Sequence, residues 1–281
     1  MNDARPGHRA PALAPEEKPL LVPALFVLVG LSLGLLGAGG GILTVPLLVH
    51  LAGIDPHAAV PLSLAIVGAA SVYGAAVSAR QGTVAGAAAL LVASGGIVGS
   101  RLGAELSPRV PDHLLLVFFA LIMAASGVFM WRRSRIRTAP EEQAGEPRPG
   151  RAALRLLPIG LVIGLLTGVL GVGGGFLIVP ALTLAGGLDM KRAPGTSLAV
   201  IAVNSAAGLW GHAQGGRIHF GDAALYVAMA VLGMAGGLRL ARHLPARRLQ
   251  QTFAAFVLVM AAVIGSLNLS RFVAAAAGGP R

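Results

Sequence analysis

Apolar residues fall in long blocks along this chain instead of alternating with polar ones. Separated by short polar connectors, the blocks occupy about 22–51, 58–79, 84–104, 113–131, 156–186, 193–213, 222–241 and 249–269. A helix needs about 20 such residues to cross a bilayer, where its backbone groups have to be satisfied internally. The pattern therefore predicts eight stretches of membrane helix. The first and fifth run to about 30 residues and are interrupted at the same place, by GAGGG at 37–41 and GVGGG at 171–175. Each carries a proline five residues past its last glycine, Pro46 and Pro180. Adjacent glycines weaken a helix because their backbone loses the most freedom on ordering. Each long stretch thus predicts either a broken helix or a re-entrant hairpin.

Composition narrows the class. The 281 residues are 55% hydrophobic and 12% charged, with a mean hydropathy of +0.77, whereas a soluble domain carries about a quarter charged residues. The predicted fold class is an all-α polytopic membrane protein of about eight transmembrane helices. The absence of cysteine excludes a disulfide framework, thiolate metal sites and a cysteine nucleophile. A net charge of +11 raises nucleic acid as a partner, but Lys and Arg sit in connectors and one central linker, so none is expected.

Residues 1–20 read as a disordered cytoplasmic tail, 21–132 as a first transmembrane repeat, and 133–155 as a basic cytoplasmic linker. Residues 156–270 read as a second repeat and 271–281 as a C-terminal tail. Between 132 and 155 lie seven Arg and three Glu, and such an excess marks the cytoplasmic side. With eight crossings both termini join the linker inside. This scheme places fourteen Lys and Arg inside and eight outside, and leaves the connector from Arg239 to Arg248 unusually basic for an external loop.

The two long stretches are copies. A shift of 134 residues carries Gly37, Gly39, Gly40 and Gly41 onto Gly171, Gly173, Gly174 and Gly175, Pro46 onto Pro180, Gly53 onto Gly187 and Asp55 onto Asp189. It continues through Ser63-Leu64-Ala65 on Ser197-Leu198-Ala199 and Ser71 on Ser205; after a four-residue adjustment, Gly99, Arg101 and Leu102 meet Gly237, Arg239 and Leu240. Polar residues and prolines in phase are not an accident of apolar composition. The chain is predicted to hold two homologous four-helix repeats, the first helix of each broken at its Gly-rich segment. Duplicated bundles are a common transporter design, with the site between the repeats. An even number of crossings per repeat makes them parallel; a hairpin adding a crossing makes them inverted.

No Asp or Glu lies deep in an apolar stretch; Asp55, Glu105, Asp112, Asp189 and Asp222 sit at ends or connectors. Charged groups in lipid are expensive and functional where present, so neither a midplane carboxylate relay nor a carboxylate-ringed cation pore is expected. No catalytic cluster, metal site or cofactor is expected either. The glycine segments are not a dinucleotide fingerprint, being GxGGG with a proline where the helix should run. They fit close helix packing, or a break at membrane depth whose free N–H groups and half-helix dipole face an anion. On the second reading the candidate binding residues are Gly37, Gly39, Gly40, Gly41 and Pro46, with Gly171, Gly173, Gly174, Gly175 and Pro180. Asn204, Thr196, Ser197 and Ser205 add uncharged donors, with Ser63 as a first-repeat equivalent. Arg101 and Arg239, in GSRLG and GLRLA, either snorkel to the headgroups or attract an anion.

GLLGAGGGILTVPLL and GLLTGVLGVGGGFLIVPALTLAGG, each followed by an Asp-containing loop and a Ser-Leu-Ala start to the next span, resemble the TauE/SafE family of membrane permeases, the sulfite exporter family. The resemblance covers about residues 22–269. It implies a bacterial inner-membrane transporter for sulfur-containing or organic anions such as sulfite, sulfoacetate, thiosulfate or taurine-related compounds. It also carries the family's Gly-rich signature onto the glycines and prolines just named. The expected function is secondary transport of a small organic or sulfur-containing anion across the inner membrane. The alternatives are a non-transporting scaffold or assembly factor, or an anion channel. The expected partners are the anion, the bilayer and, for uptake, a co-transported proton or cation. No oligomeric state follows from the sequence.

Overall fold

In the computed structural model, which describes residues 18–38, 40–106, 112–136, 149–170, 175–184, 186–213 and 223–277, every regular element is helical. The helices are α1 (Lys18–Leu36), α2 (Gly40–Pro46), α3 (Pro56–Arg80), α4 (Gly86–Leu106) and α5 (Asp112–Ile136) in the first half. The second half holds α6 (Pro149–Leu170), α7 (Gly175–Leu184), α8 (Ala193–Ala213), α9 (Ala223–His243) and α10 (Ala246–Ala277). Six of the eight apolar blocks become one helix each, while the first splits into α1 and α2 and the fifth into α6 and α7. Among the described residues each half thus holds five helical segments, two of them the parts of its one interrupted block. Among the described residues three helices, Ala58–Arg80, Gly86–Gly103 and Ala223–His243, are long and apolar enough to cross a membrane. Large apolar side chains such as Leu90, Leu121, Leu232 and Trp210 stand exposed on helix faces, as lipid-facing residues do.

The far ends of α2 and α7 are built alike. Pro46 has no N–H to give to the turn before it, and the helix continues through one wider π turn, Leu47–Leu51. That turn ends on Gly53 at φ +70°, and the second half ends α7 the same way on Gly187 at φ +71°. The bonds agree one for one. Ala52 N–H donates to Leu47 O and Ile54 N–H to Leu48 O, while Gly186 N–H donates to Ala181 O and Leu188 N–H to Leu182 O. Each pair is related by the shift of 134 found in the sequence. The next helices open alike too: Ala59 N–H donates to Asp55 O, and Ala193 N–H to Asp189 O. The Asp189 carboxylate also accepts from the N–H groups of Lys191 and Arg192, so this aspartate caps α8.

The two halves exchange partners. α1 packs on α9, and α4 on α6. Both crossings pair glycines four apart, Gly30 and Gly34 with Gly233 and Gly237, and Gly95 and Gly99 with Gly160 and Gly164. A Cβ at any of these eight would run into a backbone carbonyl of the facing helix. The correspondence extends to single atoms: Gly30 faces Ala230 O as Gly160 faces Val92 O, and Gly233 faces Val27 O as Gly95 faces Leu157 O. This is the small-residue packing that lets apolar helices approach closely in lipid. In both crossings the contact positions rise together, so the paired helices are parallel.

The self-pairs of the duplication run the other way. On α3 and α8, Gly74 meets Leu198, Gly68 meets Ser205, and Leu64 meets Gly208, an antiparallel register. On α5 and α10, Gly127 lies against Leu258 while the Gln250 amide donates to Met130 O, again antiparallel. Two copies joined by antiparallel self-pairs are related by a half-turn across the helix axes. The C-terminal ends of α1 and α3 lie together at the start of α8, where Gly37 meets Pro194 and Ser78 meets Gly195. Since α1 and α3 point to the same end, α2 with its π turn carries the chain back between them, against α1. The first long block is a hairpin.

That return alters the arrangement expected from eight crossings. The N-terminal end of α1 and the facing ends of α5 and α6 lie at opposite ends of the bundle. Arg80, Lys191, Arg192 and Arg239 to Arg248 lie at the end shared with α5 and α6.

Candidate functional site

The hairpin turn is fixed by contacts across the halves. Gly37 sits at φ +67° with the backbone of Pro194 against its Cα, so both its conformation and its lack of a side chain are used. Its carbonyl accepts a 2.8 Å bond from the Ser197 hydroxyl, which is fully enclosed. Thr196, one residue earlier, donates to Arg192 O at 2.8 Å and accepts from Ala85 N–H at 3.0 Å, which holds the start of α4. The Ser197 and Thr196 protons are thus spent within the protein. What they retain toward a solute is lone pairs. Ser63 likewise donates to Val60 O.

Of the other predicted positions, Gly40 opens α2 beneath the flexible Leu33 side chain, and Gly41 lies within that helix. Pro46 is exposed at its end, while Pro180 is buried inside α7. Gly175 opens α7 against Ile201. Gly39, Gly171, Gly173 and Gly174 lie outside the described residues. Arg101 and Arg239, in phase in the sequence, are both exposed and stand at opposite ends of the bundle. They do not form one mouth, because the halves are turned over relative to each other.

The bundle centre is the crossing of α3 and α8. Ser205 lies over Gly68, where a Cβ would stand 2.9 Å from the serine Cβ. Asn204 lays its amide over Gly96 of α4, where a Cβ would stand 2.9 Å from Nδ2 and 3.4 Å from Oδ1. Gly96 in turn touches Gly164 of α6, so Asn204 reaches the junction of α4, α6 and α8. Among the described residues Asn204 Oδ1 is enclosed without a hydrogen-bond partner, and so is Ser71 Oγ on α3. Reading residue types alone misses Gly68 and Gly96, whose role is to leave room. The signal was present in the Gly95-x3-Gly99 spacing and its in-phase copy. Among the described residues no three His, Asp or Glu come together as metal ligands.

Residues 22–264 match the family model described as "Sulfite exporter TauE/SafE". This chain belongs to the TauE/SafE family. Among its relatives in the family, a protein of Xylella fastidiosa (strain Temecula1) named "Probable membrane transporter protein" is 31% identical over 83% of this chain and 90% of its own length. Another of that name, from Xylella fastidiosa (strain 9a5c), is 35% identical over 62% of this chain and 66% of its own. Bacillus subtilis "Probable membrane transporter protein YdhB" is 30% identical over 77% and 86%. No solved structure gives a significant match. This TauE/SafE chain is accordingly a helical membrane protein of a transporter family, and not of an enzyme family.

Proposed function

We propose that the protein is a secondary transporter of a small organic or sulfur-containing anion, sulfite- or sulfonate-like, across the bacterial inner membrane. The carrying observation is the antiparallel crossing of α3 and α8, with enclosed polar groups at a centre flanked by two in-phase helix breaks. Inverted repeats of this kind alternate access by rocking about the site between them. Five passes per half, with α2 and α7 as returning passes, account for the half-turn relation. The enclosed Ser71 hydroxyl and the absence of deep carboxylates suit an anion stripped of water.

The directions of the helices also support an orientation. Among the described residues Arg80, Arg132, Arg133, Arg135, Arg151, Arg155, Lys191, Arg192, Arg239, Arg242, Arg247 and Arg248 fall at one end, twelve in all. Lys18, Arg101 and Arg271 fall at the other, three in all. The basic Arg239–Arg248 connector then joins the linker on the cytoplasmic side, in line with the excess of positive charge there, and the start of α1 and the end of α10 face outside. Flux into proteoliposomes tests the function: saturable movement of sulfite or a sulfonate is expected. Movement of a cation or neutral metabolite, with no small oxyanion carried, overturns it.

A further inference from the structure

The duplication makes two three-helix junctions equivalent, and they are filled with opposite chemistry. Where α1, α3 and α9 meet, Met234 fills the space: its Sδ and Cε lie 3.0 and 3.1 Å from where a Gly74 Cβ would stand, and its backbone abuts Gly30 and Gly34. The position of α3 equivalent to Asn204 is Ala70. Where α4, α6 and α8 meet, the position equivalent to Met234 is Gly96, and Asn204 reaches in from the other helix. One junction is closed by a thioether and the other by an amide.

That amide ends in an enclosed Oδ1 without a partner, an acceptor only. Ser71, 0% exposed, holds a second unpartnered group, a hydroxyl that can donate. The register of α3 on α8 sets Ser71 level with residues 201–202, about 4 Å of helix rise from Asn204. An enclosed polar group without a partner is costly and rarely left so in a native structure. Resting on the anion-transport reading above, we infer that the site takes an anion that also carries an O–H or N–H. Ser71 donates to the oxyanion, and Asn204 Oδ1 accepts from the second group. An anion that only accepts hydrogen bonds leaves Oδ1 unsatisfied. Because the equivalent junction is filled by Met234, the solute is bound in one orientation, with its donor toward α4 and α8.

The test uses the full chain in proteoliposomes with two sulfonates of equal charge, 2-hydroxyethanesulfonate and ethanesulfonate. The unsubstituted protein should move the hydroxylated probe at least about tenfold faster, the scale of one lost hydrogen bond in an enclosed site. Asn204→Leu should bring it down toward the rate of ethanesulfonate, collapsing the ratio between the two. Ser71→Ala should slow both alike, and Met234→Leu should leave their ratio untouched. Should Asn204→Leu fail to insert, Gly96→Ala, which displaces the amide, should narrow the ratio in its place. Equal rates in the unsubstituted protein, or a preference that survives both Asn204→Leu and Gly96→Ala, overturn the donor requirement while anion transport stands. Failure to move either sulfonate or sulfite overturns the transport reading itself.

Discussion

The crossings of α1 with α9 and of α4 with α6 are copies down to single atoms, whereas the junctions beside them are not. Gly30 stands to Ala230 O as Gly160 stands to Val92 O, yet one junction holds Met234 and the other Asn204. The backbone contacts leave no freedom, because any side chain at those glycines strikes a carbonyl. The junctions a turn away tolerate any filler of suitable volume, from either helix. Architecture is written in the first kind of contact, and the second is free to differ between the halves.

The sharpest way to break the equivalence is an all-or-none experiment. The chain has no cysteine, so single cysteines at Arg101 and Arg239 can be labelled with a membrane-impermeant maleimide. Opposite sides are expected, with Arg239→Cys reacting from the cytoplasm; labelling of both from one side breaks the half-turn relation. Next come Gly95→Val and Gly233→Val, each of which should cost at least about 3 kcal/mol by overpacking against backbone, seen as loss of monodisperse protein. Equal damage supports the copied crossings and unequal damage breaks them. Gly40→Val should be milder, since Leu33 is a side chain and can turn aside.

Smaller effects sharpen the contrast between the junctions. Met234→Asn should destabilise by about 1–3 kcal/mol by enclosing a polar group without a partner. Asn204→Leu should leave thermal stability unchanged or higher, because it removes such a group. A loss of stability in Asn204→Leu as large as in Met234→Asn would mean that Asn204 holds helices together and contacts no solute. The smallest expected loss is that of Ser197→Ala, which removes the bond to Gly37 O and should cost about 1 kcal/mol, read as a lower Tm.

Much of this was legible in the residues. Glycines, prolines and aspartates recurring at a shift of 134 revealed the duplication, and the same positions carry matching caps at Gly53 and Gly187. The break between Leu36 and Gly40 followed from the glycines. Its nature did not, because a hairpin and a bent helix differ only in where α3 points, and that is fixed by Gly74 meeting Leu198 some 120 residues away. The basic Arg239–Arg248 connector, anomalous outside the membrane, already carried the hint. Thr196 and Ser197 show a different limit. A hydroxyl's type tells that it can donate, but only the fold reveals that Arg192 O and Gly37 O receive those protons.

The exchange of partners between halves has a consequence for synthesis. When the ribosome has finished the first five helices, the glycine face of α1 still lacks α9, and α4 still lacks α6. Those narrow seams, shaped for backbone contact, have to wait in the membrane while the rest of the chain is made. Half a protein is therefore not half a fold. A gene cut in the linker should yield two fragments that each need the other's presence during insertion, as two strands of a braid need each other to hold.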